Sequence, residues 1–187
     1  MALLSILVNT AIMGSAHAAD EFKAKTLLYI SPLEYNHSVQ LLTPYHDGYW
    51  FEQGPLVEPV AFAALKAQAA DLAMCNSSET ADTIIKVKPY MFYNPWPGTY
   101  YATLVATVYA ASGETLGVYT GKGKHIAPGP ALLRITVPSN LSRAYELAME
   151  DLMTKLKVKP MAERKKVETV LPCGIIGSQL EPRFNIH

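Results

Sequence analysis

Histidine is the side chain best suited to move a proton near neutral pH, and the chain contains five. His46 is followed directly by Asp47, whereas His125 has neither an acidic nor a metal-ligating neighbour. An acid/base pair needs a third group that orients it, and neither histidine has one at a fixed spacing. An enzyme that uses His46 or His125 is therefore the least favoured of the three functions that we consider.

The glycine–lysine run Gly121–His125 is the second feature that suggests chemistry. A phosphate-binding loop needs GxxxxGK followed by Ser or Thr at the start of a helix, and prolines at positions 128 and 130 forbid a helix here. We interpret the run as the end of a strand and a turn. Metalloprotease, Cys-x-x-Cys, hydrolase-elbow and dinucleotide-binding motifs are also absent. The sequence predicts no catalytic residue, no metal site and no cofactor.

Aromatic residues in predicted loops are the remaining candidates for recognition. Tyr49, Trp50 and Phe51 stand together in a stretch from Thr43 to Leu56 that has no period and is predicted to be a loop. Trp96 stands between two prolines, which would hold it ready for contact. These four residues form the predicted binding site. In the alternative interpretation, the triplet folds back to cap the core and the prolines end an edge strand.

The amino terminus resembles a secretory leader. Residues 1–19 carry no charge, contain an apolar run from Ala2 to Val8 and end in the small residues that precede signal-peptide cleavage. We expect a mature chain of residues 20–187 in the periplasm, with no transmembrane segment. No cysteine follows the cleavage site, so a lipid anchor on an amino-terminal cysteine is not expected. A buried amino-terminal helix is the alternative.

Two cysteines, Cys75 and Cys173, remain in this exported chain. An even number of cysteines in an oxidising compartment predicts a disulfide, which would close a loop of about 100 residues and stabilise the fold by about 4 to 5 kcal/mol. Two buried free thiols are the alternative. A catalytic thiol is least favoured, because no basic cluster near either cysteine would lower its pKa.

The composition is that of one globular domain. Half of the 187 residues are hydrophobic, and 16 basic side chains balance 16 acidic ones. Nucleic-acid binders usually carry an excess of Lys and Arg, so we expect no nucleic-acid partner and no dominant polyanion. Residues 20–187 are predicted to form a single α/β domain with a carboxyl-terminal tail from about residue 159.

A three-stranded antiparallel meander is predicted to form the centre of that domain. Its strands run over Ala81–Lys88, Tyr101–Tyr109 and Thr115–Thr120, with a loop at Asn94–Gly98 and a turn at Ser112–Gly113. The middle strand alternates, with one apolar face formed by Ala102, Leu104, Ala106 and Val108. We expect Leu116 and Val118 to continue that buried face.

Further strands and two amphipathic helices complete the predicted fold. The strands are Lys25–Pro32, Val39–Leu42 and Leu132–Val137, and the helices are Pro59–Met74 and a segment from Ser139 or Asn140 to Val158. The second helix places Leu141, Tyr145, Ala148, Leu152 and Leu156 on one face. The predicted class is α/β (α+β), a mixed, mainly antiparallel sheet with two amphipathic helices packed on one face.

This order of elements resembles a group of small bacterial envelope proteins. The resemblance covers Thr26 to Val158 and includes an opening Ala81–Ile85 and the turn at Ser112–Gly113. The group is similar to the amino-terminal domain of the translocation protein TolB and includes the penicillin-binding-protein activator lipoproteins and the Pel exopolysaccharide lipoprotein. The resemblance implies a non-catalytic envelope component that docks to other proteins or assembles into a ring, although this chain lacks the lipid-anchor cysteine that most of them carry.

Our first hypothesis is therefore an exported, non-enzymatic accessory or structural subunit of a bacterial envelope assembly, with other envelope proteins or further copies of itself as partners. The alternative is a periplasmic binding module that recognises a glycan or a peptide through Tyr49, Trp50, Phe51 and Trp96.

Overall fold

The computed structural model describes residues 25–43, 46–127, 136–158 and 170–179. The predicted leader and residues 159–169 of the predicted tail lie outside these ranges. In chain order, the elements are β1 (Thr26–Tyr29), α1 (Pro32–Tyr35), β2 (Ser38–Thr43), β3 (His46–Glu52), α2 (Gly54–Lys66), β4 (Leu72–Met74), β5 (Thr83–Asn94), β6 (Thr99–Ala110), β7 (Thr115–Ile126), α3 (Val137–Val158) and α4 (Cys173–Gln179).

Five of the strands form one mixed sheet in the order β4-β1-β5-β6-β7. β1 pairs in parallel with β4 and β5, whereas β5, β6 and β7 form the predicted antiparallel meander. β2 and β3 form a separate antiparallel pair. The predicted class, a mixed and mainly antiparallel sheet with helices, is confirmed.

The main core lies between this sheet and the helices α2 and α3. The predicted apolar face of β6 is buried, with Leu104 and Ala106 at 0% exposure. Leu141, Tyr145 and Leu152 of α3 are also fully buried, and α2 adds Val57, Ala61 and Leu65 to the same cluster. Each helix buries one stripe because its apolar residues recur every three or four positions.

Helix α3 lies unusually close to β7 because two strand residues have no side chain. A Cβ added at Gly123 would overlap the backbone of Ala144 and Ala148, and one at Gly121 would overlap the carbonyl oxygen of Ala148. Glycine stands at both positions because the backbones of α3 and β7 approach too closely to leave room for a side chain.

Two side chains of α3 then bind the backbone of β7. The Lys122 N–H donates to Asp151 Oδ2 at 2.8 Å, and the Lys155 ammonium donates to the Thr120 carbonyl at 2.6 Å. Lys155 also donates to Asp151, and these bonds lower the pKa of the Asp151 carboxyl. The helix is therefore fixed to β7 by packing and by charge-assisted hydrogen bonds.

A buried hydrogen bond joins the two helices of this layer. The Tyr145 hydroxyl donates to Gln53 Oε1 at 2.8 Å, directly before α2 begins. Burial raises the pKa of Tyr145 far above its usual range. The phenol therefore stays neutral and able to donate.

The predicted helix Pro59–Met74 is wrong at both ends. The helix is Gly54–Lys66, with Pro59 inside it, and Leu72–Met74 is the edge strand β4. The alanine-rich composition favours a helix, but pairing of Leu72 with Thr26 of β1 gives the backbone a sheet ladder instead. Local propensity could not reveal that partner.

The predicted loop Thr43–Leu56 is also wrong, because β3 occupies most of it and pairs with β2. The predicted strand Val39–Leu42 is confirmed as part of β2. The meander strands are longer than predicted, and β7 runs through Gly121–His125, for which the sequence predicts a strand end and a turn. Pro89 is tolerated inside β5 because β1 pairs with β5 only as far as Lys86.

Leu116 and Val118 do not continue the buried face, since they are 51% and 60% exposed. Val118 pairs with Thr107, which points away from the helices, and the register shifts between Val108 and Tyr109. The second helix starts at Val137, so the carboxyl end of the predicted strand Leu132–Val137 is helical, whereas residues 132–135 lie outside the described part of the chain.

A smaller core covers one end of the opposite face of the sheet. There, Ile176 of α4 packs with Leu27, Ile84 and Tyr109. The predicted disulfide is confirmed, because Cys173 at the start of α4 is bonded to Cys75 after β4, across 98 residues. The bond fastens α4 to the parallel edge of the sheet.

Removing the disulfide tests its energetic role. We expect the double variant Cys75→Ser/Cys173→Ser to lose roughly 4 to 5 kcal/mol of unfolding free energy, because a closed loop of this size restricts the unfolded chain. Denaturant unfolding measures the loss, and the wild type under reducing conditions is the matched control. A double variant as stable as the oxidised wild type would contradict this expectation.

Substituting Gly123 tests the close contact between α3 and β7. We expect Gly123→Ala to lower the unfolding free energy by about 2 to 3 kcal/mol, because the new methyl group meets helix backbone that cannot move aside. Gly117→Ala is the control, since the atoms nearest to its added Cβ belong to the Tyr119 side chain rather than to backbone. Equal denaturation midpoints for the two variants would refute the contact.

Candidate binding surface

The face of the meander that points away from α2 and α3 exposes several large apolar side chains. In each strand these positions alternate with the buried ones, and the register aligns them across β5, β6 and β7. We call this surface the open face. It consists of Lys86, Lys88, Tyr90, Phe92, Asn94, Tyr101, Thr103, Val105, Thr107, Val118, Thr120, Lys122, Lys124 and Ile126.

Aromatic rings lie at the centre of the open face. Phe92 is 64% exposed and Tyr90 is 48% exposed, two residues apart on the same side of β5. Phe92 contacts Tyr101 of β6, with ring centroids 5.9 Å apart and planes tilted by 35°. Large apolar side chains are usually buried, so this exposed group is the candidate binding surface.

Lysines stand beside these rings. The Lys88 ammonium lies 5.4 Å from the Tyr90 ring centroid, and the Lys124 ammonium lies 5.8 Å from that of Tyr101. These distances allow cation–π attraction, which holds each ammonium group close to a ring. Aromatic and cationic groups are therefore interleaved across the face.

The open face carries one sign of charge. Its fourteen positions include four lysines and neither aspartate nor glutamate, although the whole chain has no net charge. Lys88 donates to Glu34 Oε1 of α1 at 2.9 Å, and this hydrogen bond raises the Lys88 pKa. Lys122 and Lys124 are exposed and form no ion pair within 4.0 Å with a carboxylate of the described residues.

Of the four predicted binding residues, two are exposed. Tyr49 and Phe51 point to the same side of β3, where their rings stack 6.5 Å apart against the main core, and Phe51 is only 8% exposed. Trp50, on the other side of β3, is 60% exposed, and Trp96 is 90% exposed. The two tryptophans belong to different sheets, Trp50 to β3 and Trp96 to the turn between β5 and β6.

The turn that carries Trp96 is held by hydrogen bonds. The Trp96 N–H donates to Asn94 Oδ1 at 3.2 Å, and the Gly98 N–H donates to the Pro95 carbonyl at 3.3 Å. Gly98 has a φ of 58°, a conformation that glycine adopts without strain. The predicted loop at Asn94–Gly98 is thus an ordered turn that presents the indole to solvent.

His125 takes part in packing on the covered side of β7. Its Nε2 lies 3.1 Å from Asn140 Oδ1 of α3, so this N–H donates to the amide oxygen, and its ring stacks 6.3 Å from Tyr100. Burial raises the pKa of Tyr100. The side chain of His46 lies outside the described part of the structure, and no group of three metal-ligating residues occurs in the described part.

A groove of about 820 Å³ runs along the outer side of the helical layer between α2 and α3. Its lining is mainly apolar, with Met149 and Met153 on α3, and its only ionisable groups are Glu146 and Glu150. Both glutamates pair with Arg143, at 2.8 and 3.6 Å. Both ionisable groups of the groove lining are therefore already held in ion pairs.

The open face is not among the features predicted from the sequence. The alternation Lys86, Lys88, Tyr90, Phe92 is present in β5, but the predicted strand ends at Lys88. The signal could have been found by continuing the period of two past Pro89.

Within the described ranges, none of the helices has both the length and the apolar composition of a membrane-spanning segment.

No family model and no curated protein matches the chain. Among solved structures, the chain is similar to XCC0632 from Xanthomonas campestris, of the family DUF330, with 9% identity, a TM-score of 0.45, and coverage of 83% of this chain and 87% of that one.

The chain is also similar to a dodecamer of a PelC variant from Paraburkholderia phytofirmans, with 15% identity and a TM-score of 0.39. This match covers 67% of the chain and 86% of PelC. PelC is thus one of the solved structures to which the chain is similar, and the resemblance to TolB stays a prediction.

Proposed function

We propose that this chain is an exported, non-enzymatic accessory domain of the cell envelope, which acts by docking to another envelope component through its open face. The observation that carries the proposal is the open face itself. It presents aromatic side chains on β5 and β6 beside lysines on β7, whereas the opposite face of the same strands is buried under helices.

The cysteine chemistry supports the proposed compartment. Both cysteines of the chain are joined in one disulfide, and structural disulfides persist in oxidising compartments such as the periplasm. The leader-like residues 1–19 and the sequence resemblance to envelope accessory proteins favour the same location.

The placement of the ionisable residues supports binding rather than catalysis. His125 is engaged with Asn140 and Tyr100, and Asp151 is engaged with the backbone of β7 and with Lys155. A reaction centre needs several such groups converging on one reacting atom. In the described residues these groups instead hold elements together.

A second candidate is the recognition of a glycan or a peptide through tryptophan. The observation that favours it is the high exposure of Trp50 and Trp96, at 60% and 90%. Tyr49 and Phe51 contribute to this candidate by supporting β3 from the core side, because their rings face the main cluster.

Site-specific photo-cross-linking in the native cells tests the first proposal. A photo-reactive amino acid at Thr103, in the middle of the open face, should form adducts of higher mass in the envelope fraction. The same probe at Glu150, exposed on α3, is the matched control and should form none. Adducts from Glu150 but not from Thr103, or adducts in the cytoplasmic fraction, would contradict the proposal.

A further inference from the structure

The open face combines rings and cations in a repeated order across the sheet. One cross-strand row runs Phe92, Tyr101, Lys124, and the next runs Tyr90, Thr103, Lys122. Resting on the proposed function, we propose that the component bound by the open face is an anionic polysaccharide, a chain of sugar rings that carries carboxylates.

The rings supply the contact for sugar. One side of a pyranose ring is lined by C–H groups and packs on the face of an aromatic ring. Phe92 and Tyr101 lie side by side with centroids 5.9 Å apart, and Tyr90 is two residues from Phe92, roughly 7 Å along the strand. The three rings therefore form a platform wide enough for successive sugar units.

The lysines supply the contact for the carboxylates. Lys122 and Lys124 are exposed, and Lys124 is held 5.8 Å from the centre of the Tyr101 ring. A carboxylate on a sugar that stacks on Tyr101 would come within reach of this ammonium group. No acidic residue of the open face would repel the polymer.

The polar residues between the rings favour a sugar over a protein or a membrane. Thr103 separates Tyr90 from Lys122, and Thr120 lies in the neighbouring row, so hydroxyl groups interrupt the apolar surface. A membrane contact would need a continuous apolar area, and protein interfaces are enriched in Arg and depleted of Lys. All four cations of the open face are lysines.

Single-stranded nucleic acid also binds to surfaces of rings and cations. The disulfide between Cys75 and Cys173 favours the sugar, because it indicates an oxidising compartment outside the cytoplasm, where nucleic acid is scarce and polysaccharide is abundant. Nucleic acid is therefore one outcome of the test.

Affinity measurements with defined polymers test the inference. The purified full chain, with its disulfide intact, is titrated with polygalacturonate oligosaccharides and, in parallel, with neutral dextran, polyglutamate and oligothymidylate. We expect binding of polygalacturonate, weakened by added salt, no binding of dextran, and clearly weaker binding of the other two polyanions.

Single substitutions test whether the polysaccharide contacts the open face. We expect Phe92→Ala and Tyr101→Ala each to weaken polygalacturonate binding about 3- to 10-fold, as for the loss of one aromatic contact. Lys124→Gln should weaken it about 2- to 5-fold and reduce the dependence on salt. Val170→Ala, at an exposed apolar residue outside the open face, is the control and should leave the affinity unchanged.

Circular dichroism and the intact disulfide confirm that each variant is folded. Equal affinity for oligothymidylate or polyglutamate, or an equal loss in Val170→Ala and Phe92→Ala, would overturn the inference. If no acidic glycan binds while the Thr103 probe still forms envelope adducts, the proposed docking function stands and the glycan inference fails. If neither occurs, both fail.

Discussion

The contact between α3 and β7 is the constraint on which the rest of the structure depends. Two glycines, Gly121 and Gly123, allow helix backbone to approach strand backbone, and Asp151 and Lys155 then bind the strand's own N–H and carbonyl groups. Fixing α3 there places its buried stripe over β6 and leaves α2 to pack beside it. The helical layer therefore lies on one face of the meander, and within the described ranges α4 is the helix that packs on one end of the other face.

The composition of the open face makes it compatible with water when no partner is bound. Lysines and threonines are interleaved with the rings, so water can reach each part of the surface. The overall charge of zero hides this arrangement, because the acidic side chains belong to other elements: Glu34 on α1 pairs with Lys88, and Asp151 on α3 binds the backbone of β7. A net charge of zero therefore does not argue against a polyanion partner as strongly as we expected from the sequence, since a single face can carry one sign of charge.

Sequence reasoning succeeded where a pattern repeats locally. The alternation along β6 and the stripe on α3 are predicted correctly because each follows from the geometry of one element.

Prediction from the sequence fails where a partner far away in the chain decides the structure. β4 lies in an alanine-rich stretch that became a strand only by pairing with β1, and Phe51 became a core residue because β3 pairs with β2. The two cysteines could be paired because only one pairing exists, whereas the side of the sheet on which Val118 lies depends on a register shift that no local pattern reveals.

The central claim is that the meander has one face covered by helices and one face free to bind. Hydroxyl-radical footprinting of the purified protein measures this directly, since each aromatic ring is oxidised according to its exposure to solvent. The account predicts rapid oxidation of Phe92 and Tyr90 and strong protection of Tyr100 and Tyr145, which are fully buried beneath the helices. Protection of Phe92 and Tyr90 equal to that of Tyr100 in the isolated chain would contradict it.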